Sequence, residues 1–198
     1  MDNLPFTFLD SFAFWNKPQE DIEQCTDAER EKLFGQAYRP KFFPKDQLPH
    51  NLSEYIQQLK YVLVGMNPGN AIAEHPQEPF LNFHGSKNSA DYRLAAAVYG
   101  TKLWGSLMTD LSQQIQSDST KVRIDANDVQ ALEHHLDALG VAQDAVLVAL
   151  GQTTFNNLNK FAQRKVLYIP HYSNSNNGSG DNRWDAKRVH SRILTMTK

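Results

Sequence analysis

The chain has 198 residues, a formal net charge of −2 at neutral pH, 40% hydrophobic residues and one cysteine. This size and composition are typical of one globular domain, or of one domain with an appended segment. No apolar run approaches the ~20 residues that a membrane-spanning helix needs, and the first residues lack the pattern of a secretory signal. We therefore expect a cytoplasmic protein without internal disulfides, four-cysteine zinc sites or four-cysteine iron–sulfur clusters.

The charges are distributed unevenly along the chain. Residues 1–31 carry eight acidic and two basic side chains, whereas five lysines and arginines but only one acid follow residue 182. This distribution does not indicate a general polyanion-binding surface, although a local basic patch near the end of the chain remains open. The alternative interpretation is that these basic residues form the solvated face of a helix.

The first fifty residues differ in pattern from the rest. They combine five aromatic residues between positions 6 and 15 with an acidic, helix-like segment near residues 20–34, and they contain prolines at positions 18, 40, 44 and 49. A unit of that size has difficulty burying enough surface to fold independently. We interpret residues 1–50 as an N-terminal extension that packs through its aromatic residues on a main domain, residues 51–198.

The main domain alternates between apolar runs and helical patterns. The apolar runs predict buried strands at residues 61–64, 145–150 and 166–169. Helices are expected at about residues 89–99, 125–139 and 153–163 and from about residue 182, and leucines spaced by four suggest a short helix within residues 102–111. This alternation predicts a Rossmann-like three-layer α/β/α sandwich around a central, mostly parallel four-stranded sheet.

Two unusual segments follow predicted strands, at the sheet edge where such folds bind ligands. The turn Gly65-Met66-Asn67-Pro68-Gly69 carries one amide that could hold a water molecule or a base edge, although an Asn-Pro-Gly sequence can also be simply a turn. The later segment contains His171, which could donate to an oxygen that gains negative charge, or serve as a structural histidine.

Four short motifs occur in an order and spacing that resemble the uracil-DNA glycosylase superfamily. They are YVLVGMNPG, Pro79-Phe80, Leu150-Gly151 with Thr153, and VLYIPHYSN. The YVLVGMNPG motif is similar in form to that of the single-strand-selective monofunctional and mismatch-specific uracil/thymine branches. The resemblance is to branches without an iron–sulfur cluster. The resemblance covers roughly residues 59–198 and leaves the N-terminal extension unexplained.

The resemblance implies a monomeric, monofunctional DNA glycosylase of base excision repair that removes uracil or a related deaminated or modified base. Such an enzyme flips the nucleotide into a pocket and needs no metal, cofactor or membrane. Asn67 would position the water that attacks C1′, and His171 would hydrogen-bond the O2 atom of uracil. Phe80, or Phe83 as a second candidate, would stack on the base. The remaining candidates implied are Gly65, Met66, Gly69 and Asp110 for the base, and Ser173, Asn174, Asn176, Arg183 and Lys187 for DNA.

Three features depart from the family pattern. Tyr172 and Asn174 stand where proline is usual, no leucine or arginine wedge follows them, and Thr109-Asp110 stands where several branches have Thr-Asn. An ionised Asp110 can accept a hydrogen bond from N3–H of uracil but cannot donate to O4. It could suit a base with an exocyclic amine, be protonated, or be a structural cap.

Two further functions therefore remain open. One is a non-enzymatic relative that binds nucleic acid or a free base on the same scaffold. The other is a Rossmann-like binder of an unrelated small molecule.

Overall fold

The structure is a computed structural model that describes residues 4–70, 79–174 and 178–198. The described residues form a mixed α/β fold. Its strands are β1 (Ser11–Phe12), β2 (Tyr61–Gly65), β3 (Leu107–Asp110), β4 (Val146–Leu150) and β5 (Val166–Ile169). Its helices are α1 (Asp27–Ala37), α2 (Leu52–Gln58), α3 (Asp91–Val98), α4 (Ala126–Leu139), α5 (Gln152–Phe161) and α6 (Ala186–Met196). Within the described ranges, none of the helices combines the length and apolar character needed to cross a membrane.

The five described strands form one sheet in the order β1-β3-β2-β4-β5. The four strands β3, β2, β4 and β5 run parallel to one another. Strand β1 lies at the edge and pairs antiparallel with β3. The expected mostly parallel sheet is therefore present, but the expectation of four strands was wrong. The additional strand comes from the N-terminal segment, where Phe12 is fully buried opposite Leu107.

The segment 102–111 contains β3, so the short helix expected there is wrong. Leu107, Met108, Thr109 and Asp110 are all buried, as in a strand covered on both faces rather than in a helix with one apolar stripe. Pairing with β2, in which Val62 lies opposite Leu107, determines this conformation. Leucines spaced by four do not distinguish the two alternatives in so short a segment.

Helices cover both faces of the sheet. Val62, Val64 and Leu147 point to a core formed with α2, α4 and α5. Leu63 and Val148 point to a second core formed with α1, α3 and α6. This alternation follows from the two-residue period of a strand, and it explains why the central strands are apolar at every position.

The observed helix boundaries agree best with the predicted ones where local capping groups determine them. Asp125 accepts hydrogen bonds from the first turn of α4, and Gly140 ends that helix. Helix α3 starts at Asp91, later than expected, because Ala90 has a left-handed backbone and Ser89 lies in the preceding turn. The seven-residue helix α2 had no sequence prediction.

The N-terminal segment also supports a loop at the carboxyl end of the sheet. Ser11 Oγ donates to the carbonyl of Phe80 at 2.8 Å, and Trp15 Nε1 donates to the carbonyl of Phe83 at 3.4 Å. Phe14 and Trp15 are themselves buried. Residues 79–85 are therefore held in place by contacts with the beginning of the chain.

Candidate functional site

A cavity of about 520 Å³ lies at the carboxyl ends of the parallel strands. Its walls come from the segment after β2, from residues 81–91, from the end of β3 and the following loop, and from the segments after β4 and β5. Eight of the sequence candidates line it: Gly65, Met66, Asn67, Gly69, Phe83, Asp110, His171 and Ser173. The strand order therefore brings together residues that are more than one hundred positions apart in the chain.

Asn67 connects two of the loops that form the cavity. Its Nδ2 donates to the carbonyl oxygens of Pro68, Gln114 and Gln116 at 3.0, 2.9 and 2.7 Å. Three acceptors around one end of the amide identify that end as the NH₂ group. Within the described part of the chain, the Oδ1 atom makes no hydrogen bond, so it is available to accept one from a water molecule in the cavity.

The two loops are held together along their length. Leu111 N donates to the carbonyl of Gly65 at 3.0 Å, and Ser112 N donates to that of Met66 at 2.9 Å. Gln116 N donates to the carbonyl of Pro68 at 3.0 Å. These bonds extend the pairing of β2 and β3 beyond the strands, so backbone hydrogen bonds hold the turn that carries Asn67.

His171 presents a neutral hydrogen-bond donor. Its Nδ1 accepts from the backbone N–H of Ser173 at 3.1 Å, so the proton of the neutral ring is on Nε2. Burial lowers the pKa of His171 to about 4, and the ring is therefore uncharged at neutral pH. It is stacked on Tyr172 with 4.7 Å between ring centroids, and it packs against Gly151, where φ is +94° and a Cβ would lie 3.2 Å from His171 Cβ.

Tyr172 anchors the loop that carries His171. Its buried hydroxyl is hydrogen-bonded to the carboxylate of Asp91. Asp91 also accepts from Tyr38 Oη at 3.0 Å, from Ser89 Oγ at 2.5 Å and from Gly85 N at 3.0 Å. Burial raises the pKa of Asp91 even though these bonds stabilise its ionised form. A buried hydrogen-bond network thus holds the loop that carries His171 in place.

Asn174 belongs to this anchoring rather than to the cavity. Arg93 Nη1 donates to Asn174 Oδ1 at 2.9 Å and to the carbonyl of Tyr172 at 3.1 Å, while Arg93 Nε is paired with Glu31 at 2.7 Å. No local sequence pattern points to Arg93 or Tyr38, because each acts through contacts with distant parts of the chain. Asp91 has a recognisable local pattern, because it is an acidic residue at the start of α3, where a negative charge is favourable.

Of the two phenylalanine candidates, Phe83 lines the cavity, and the expectation for Phe80 needs correction. Phe80 is only 2% exposed and makes edge contacts with Phe6 and Phe12 at centroid distances of 5.0 and 5.4 Å. It also packs on Phe43 at 5.3 Å and does not line the cavity. A ring so enclosed by the core cannot stack on a base, whereas Phe83 is half-buried and faces the cavity.

Asp110 lies at the end of β3, opposite Gly65 in the sheet register. It is 4% exposed, and its Oδ2 accepts from Asn82 Nδ2 at 2.8 Å. The pKa of Asp110 is raised to about 7, mainly by burial; the hydrogen bond from Asn82 opposes the rise, and the charge of nearby Asp10 adds to it. A Cβ at position 65 would collide with Asp110 Oδ1 and lie 2.9 Å from Phe83 Cε1, so this close packing requires glycine.

Two of the remaining DNA-binding candidates, Arg183 and Lys187, lie outside the cavity. Arg183 and Lys187 are exposed, just before and within the first turn of α6. Asn176 lies outside the described residues. Arg188 Nη2 donates to the carbonyl of Arg183 at 2.5 Å and so braces the backbone at the start of this basic segment.

A second cavity of about 540 Å³ shares Asp110 with the first. It is lined by residues of β3, α4 and the N-terminal segment, including His135, whose Nε2 is 2.9 Å from an oxygen of Asp10. Asn67, Phe83 and His171 do not line it. Across residues 4–70, 79–174 and 178–198, no three histidine, cysteine or acidic side chains are grouped so that they could hold a metal ion.

No protein-family model matches the chain, and a search of curated proteins also found no match. The chemistry of the first cavity is therefore the basis for assigning a function.

Proposed function

We propose that the protein is a monofunctional DNA glycosylase that hydrolyses the N-glycosidic bond of uracil or of a related deaminated or modified base. The observation that carries this proposal is the meeting of Asn67, Phe83 and His171 in one cavity. Its volume of about 520 Å³ is within the range of small-molecule sites. The Rossmann-like arrangement of the sheet and the resemblance to the uracil-DNA glycosylase superfamily support the same function.

Each of the three side chains has a distinct role in this reaction. The target nucleotide leaves the base stack and enters the cavity, where the base stacks on the ring of Phe83. The bond between C1′ and the base nitrogen breaks, and its electron pair moves onto the base and its O2 atom. The Nε2–H of His171 donates to that oxygen as its charge grows, a contribution of about 3 kcal/mol to transition-state stability.

The sugar is left as an oxocarbenium-like centre that water captures at C1′. Asn67 Oδ1 accepts a hydrogen bond from this water and so orients its oxygen towards the sugar. An amide is not a strong base, so the one proton that the water loses passes to solvent or to the departing base anion, and the other stays in the new hydroxyl group on C1′. Bond cleavage therefore precedes most of the water attack.

The segment after β5 and the start of α6 form the proposed DNA contact. Ser173 lines the cavity mouth, and the exposed side chains of Arg183 and Lys187 follow along the chain. Such cations contact phosphates without reading sequence. The affinity for DNA is accordingly expected to fall as the salt concentration rises.

The test is a base-release assay on end-labelled oligonucleotides followed by alkaline cleavage of abasic sites. The panel contains single-stranded uracil, U·G pairs, hypoxanthine, xanthine, 5-substituted uracils and 5-substituted cytosines. Asn67→Ala should reduce release by about 100-fold or more, and His171→Ala by a similar factor, because each removes a group that acts on the transition state.

The matched control is Asn157→Ala on α5, which removes a half-buried asparagine that also donates to a backbone carbonyl, that of Thr153. Circular dichroism establishes that each variant is folded. Absence of release by the folded wild-type protein on the whole panel, or undiminished release by folded Asn67→Ala, would contradict the proposal.

A second candidate function is binding of nucleic acid or a free base without cleavage. The observation in its favour is that all three hydrogen bonds of the Asn67 amide go to loop carbonyls, so a structural role alone would account for this residue. It predicts salt-dependent DNA binding with no abasic product from any substrate.

A further inference from the structure

Asn82 is a buried cavity residue whose orientation is determined by the N-terminal segment. It is 7% exposed, and its Nδ2 donates to the carbonyl of Leu9 at 2.7 Å as well as to Asp110 Oδ2 at 2.8 Å. Since a carbonyl can only accept, the NH₂ end of Asn82 must face Leu9. Both of its amide hydrogens are thus committed, and Oδ1 is the polar atom of Asn82 left for the cavity.

This arrangement distinguishes the two oxygens of Asp110. Oδ2 accepts from Asn82 whether the carboxyl group is ionised or neutral, so a proton on Asp110 belongs on Oδ1. Oδ1 lies against Gly65, in the space that a Cβ at that position would fill, and the ring of Phe83 borders the same space. A base stacked on Phe83 would therefore present its edge to Asp110 Oδ1.

We propose that Asn82 and Asp110 form a base-reading wall that selects a base carrying an exocyclic amine over its carbonyl analogue. In this pair Asp110 contacts the base, and Asn82 is a positioning residue that makes Oδ1 the reading atom. The inference rests on the proposed glycosylase function and names the substrate class of the same site. A carbonyl placed against an ionised carboxylate would lack a donor and be repelled, whereas an amine supplies the missing hydrogen bond.

The selection depends on ionisation of Asp110, so it should be strongest above neutral pH. Because the pKa of Asp110 is raised to about 7, Oδ1 carries a proton in more acidic solution and can then donate to a carbonyl. The titratable groups close to Asp110 are Asp10, its partner His135 and the hydroxyl of Tyr172. Other titratable side chains that line the cavity are those of Lys41, His84, Asp91 and His171. Comparison with a variant that lacks the carboxyl group separates the titration of Asp110 from theirs.

The experiment compares two oligonucleotides that contain 5-hydroxycytosine or 5-hydroxyuracil at the same position. These bases differ in having an amine or a carbonyl at C4. The quantity measured is the ratio of their single-turnover release rates at pH 8.5, for the wild type and for Asp110→Asn. Because the intrinsic leaving-group difference is the same for both proteins, it cancels when the two ratios are compared.

We expect the ratio to fall by about 10- to 100-fold in Asp110→Asn, which is the factor expected for one charge-assisted hydrogen bond. In the wild type the ratio should also fall as the pH decreases through about 7, and this pH dependence should be absent in the variant. A ratio that is unchanged by Asp110→Asn would overturn the inference while leaving the glycosylase function intact. Failure of the wild type to release any base of the full panel would overturn both.

Asn82→Ala tests the positioning role through the pH profile. The Asn82 hydrogen bond favours the ionised form of Asp110, so its removal should move the midpoint of the ratio to higher pH. Asn157→Ala is again the control and should leave the midpoint unchanged. An unmoved midpoint in folded Asn82→Ala would overturn the role of Asn82, and if this variant does not fold, Asn82→Ser provides the same measurement with a smaller disturbance of the cavity wall.

Discussion

Replacement of Asp110 by asparagine should stabilise the protein in alkaline but not in acidic solution. Asparagine has nearly the same shape, and its carbonyl can still accept the hydrogen bond from Asn82. The difference is that the wild-type carboxyl group becomes charged in a buried site, whereas the amide does not. Burial, the main cause, raises the pKa of Asp110, and Asp10 contributes in the same direction.

The size of the effect follows from proton linkage. The pKa rises from 3.8 to about 7, close to three pH units, and each unit corresponds to about 1.4 kcal/mol. A raised pKa means that folding takes up a proton in this interval, so the stability of the wild type falls as the pH increases from about 4 to about 7. Asp110→Asn should therefore gain stability relative to the wild type by about 1.4 kcal/mol per pH unit, up to about 4 kcal/mol above pH 7.

The assay is urea unfolding of both proteins at half-unit steps from pH 4.5 to pH 8.5. Subtraction of the two curves removes the contributions of groups that titrate alike in both, including His84 and His171. Asp144→Asn serves as the control, because Asp144 is mostly exposed and has only a 3.5 Å ion pair with Lys60. A stability difference between Asp110→Asn and the wild type that does not change with pH would refute the reasoning.

Four further substitutions test the packing around the cavity. Gly65→Ala should destabilise the protein by about 1–3 kcal/mol, because its Cβ would collide with Asp110 Oδ1 and crowd Phe83; an unchanged urea midpoint would contradict this. Phe80→Ala should cost about 3–5 kcal/mol as a core truncation, whereas half-buried Phe83→Ala should cost less and mainly reduce base release. Equal unfolding free energies for these two variants would count against the distinction. Thr109→Val should be neutral or stabilising by up to about 1 kcal/mol, because Thr109 Oγ1 is buried without a partner in the described part of the chain.

Much of the fold could be predicted from local patterns in the sequence. Strands β2, β4 and β5 were recognisable because parallel strands buried on both faces are continuously apolar. Helix α4 was recognisable because its capping groups are close in sequence. Strand β3 was missed because Leu107 belongs to a series of leucines spaced by four, which also suits a short helix; pairing with β2 decides between the two structures.

The candidate site could be predicted in part for a similar reason. Asn67 and His171 stand directly after apolar strands, and parallel strands have their carboxyl ends at one edge of the sheet. The choice between Phe80 and Phe83 could not be made in this way. Both have a positive φ, of 67° and 65°, and packing against Phe6, Phe12 and Phe43 determines which ring is buried.

The sequence by itself therefore determined the succession of most strands and helices, and the edge of the sheet where chemistry is expected, because these depend on neighbouring residues. Only the tertiary structure decided which side chains meet there and in what state. The orientation of Asn82 depends on the carbonyl of Leu9, seventy-three positions away. The raised pKa of Asp110 and the neutral ring of His171 depend on burial by elements from the whole chain. Burial and long-range hydrogen bonds exist only after the chain has folded, and a local pattern does not encode them.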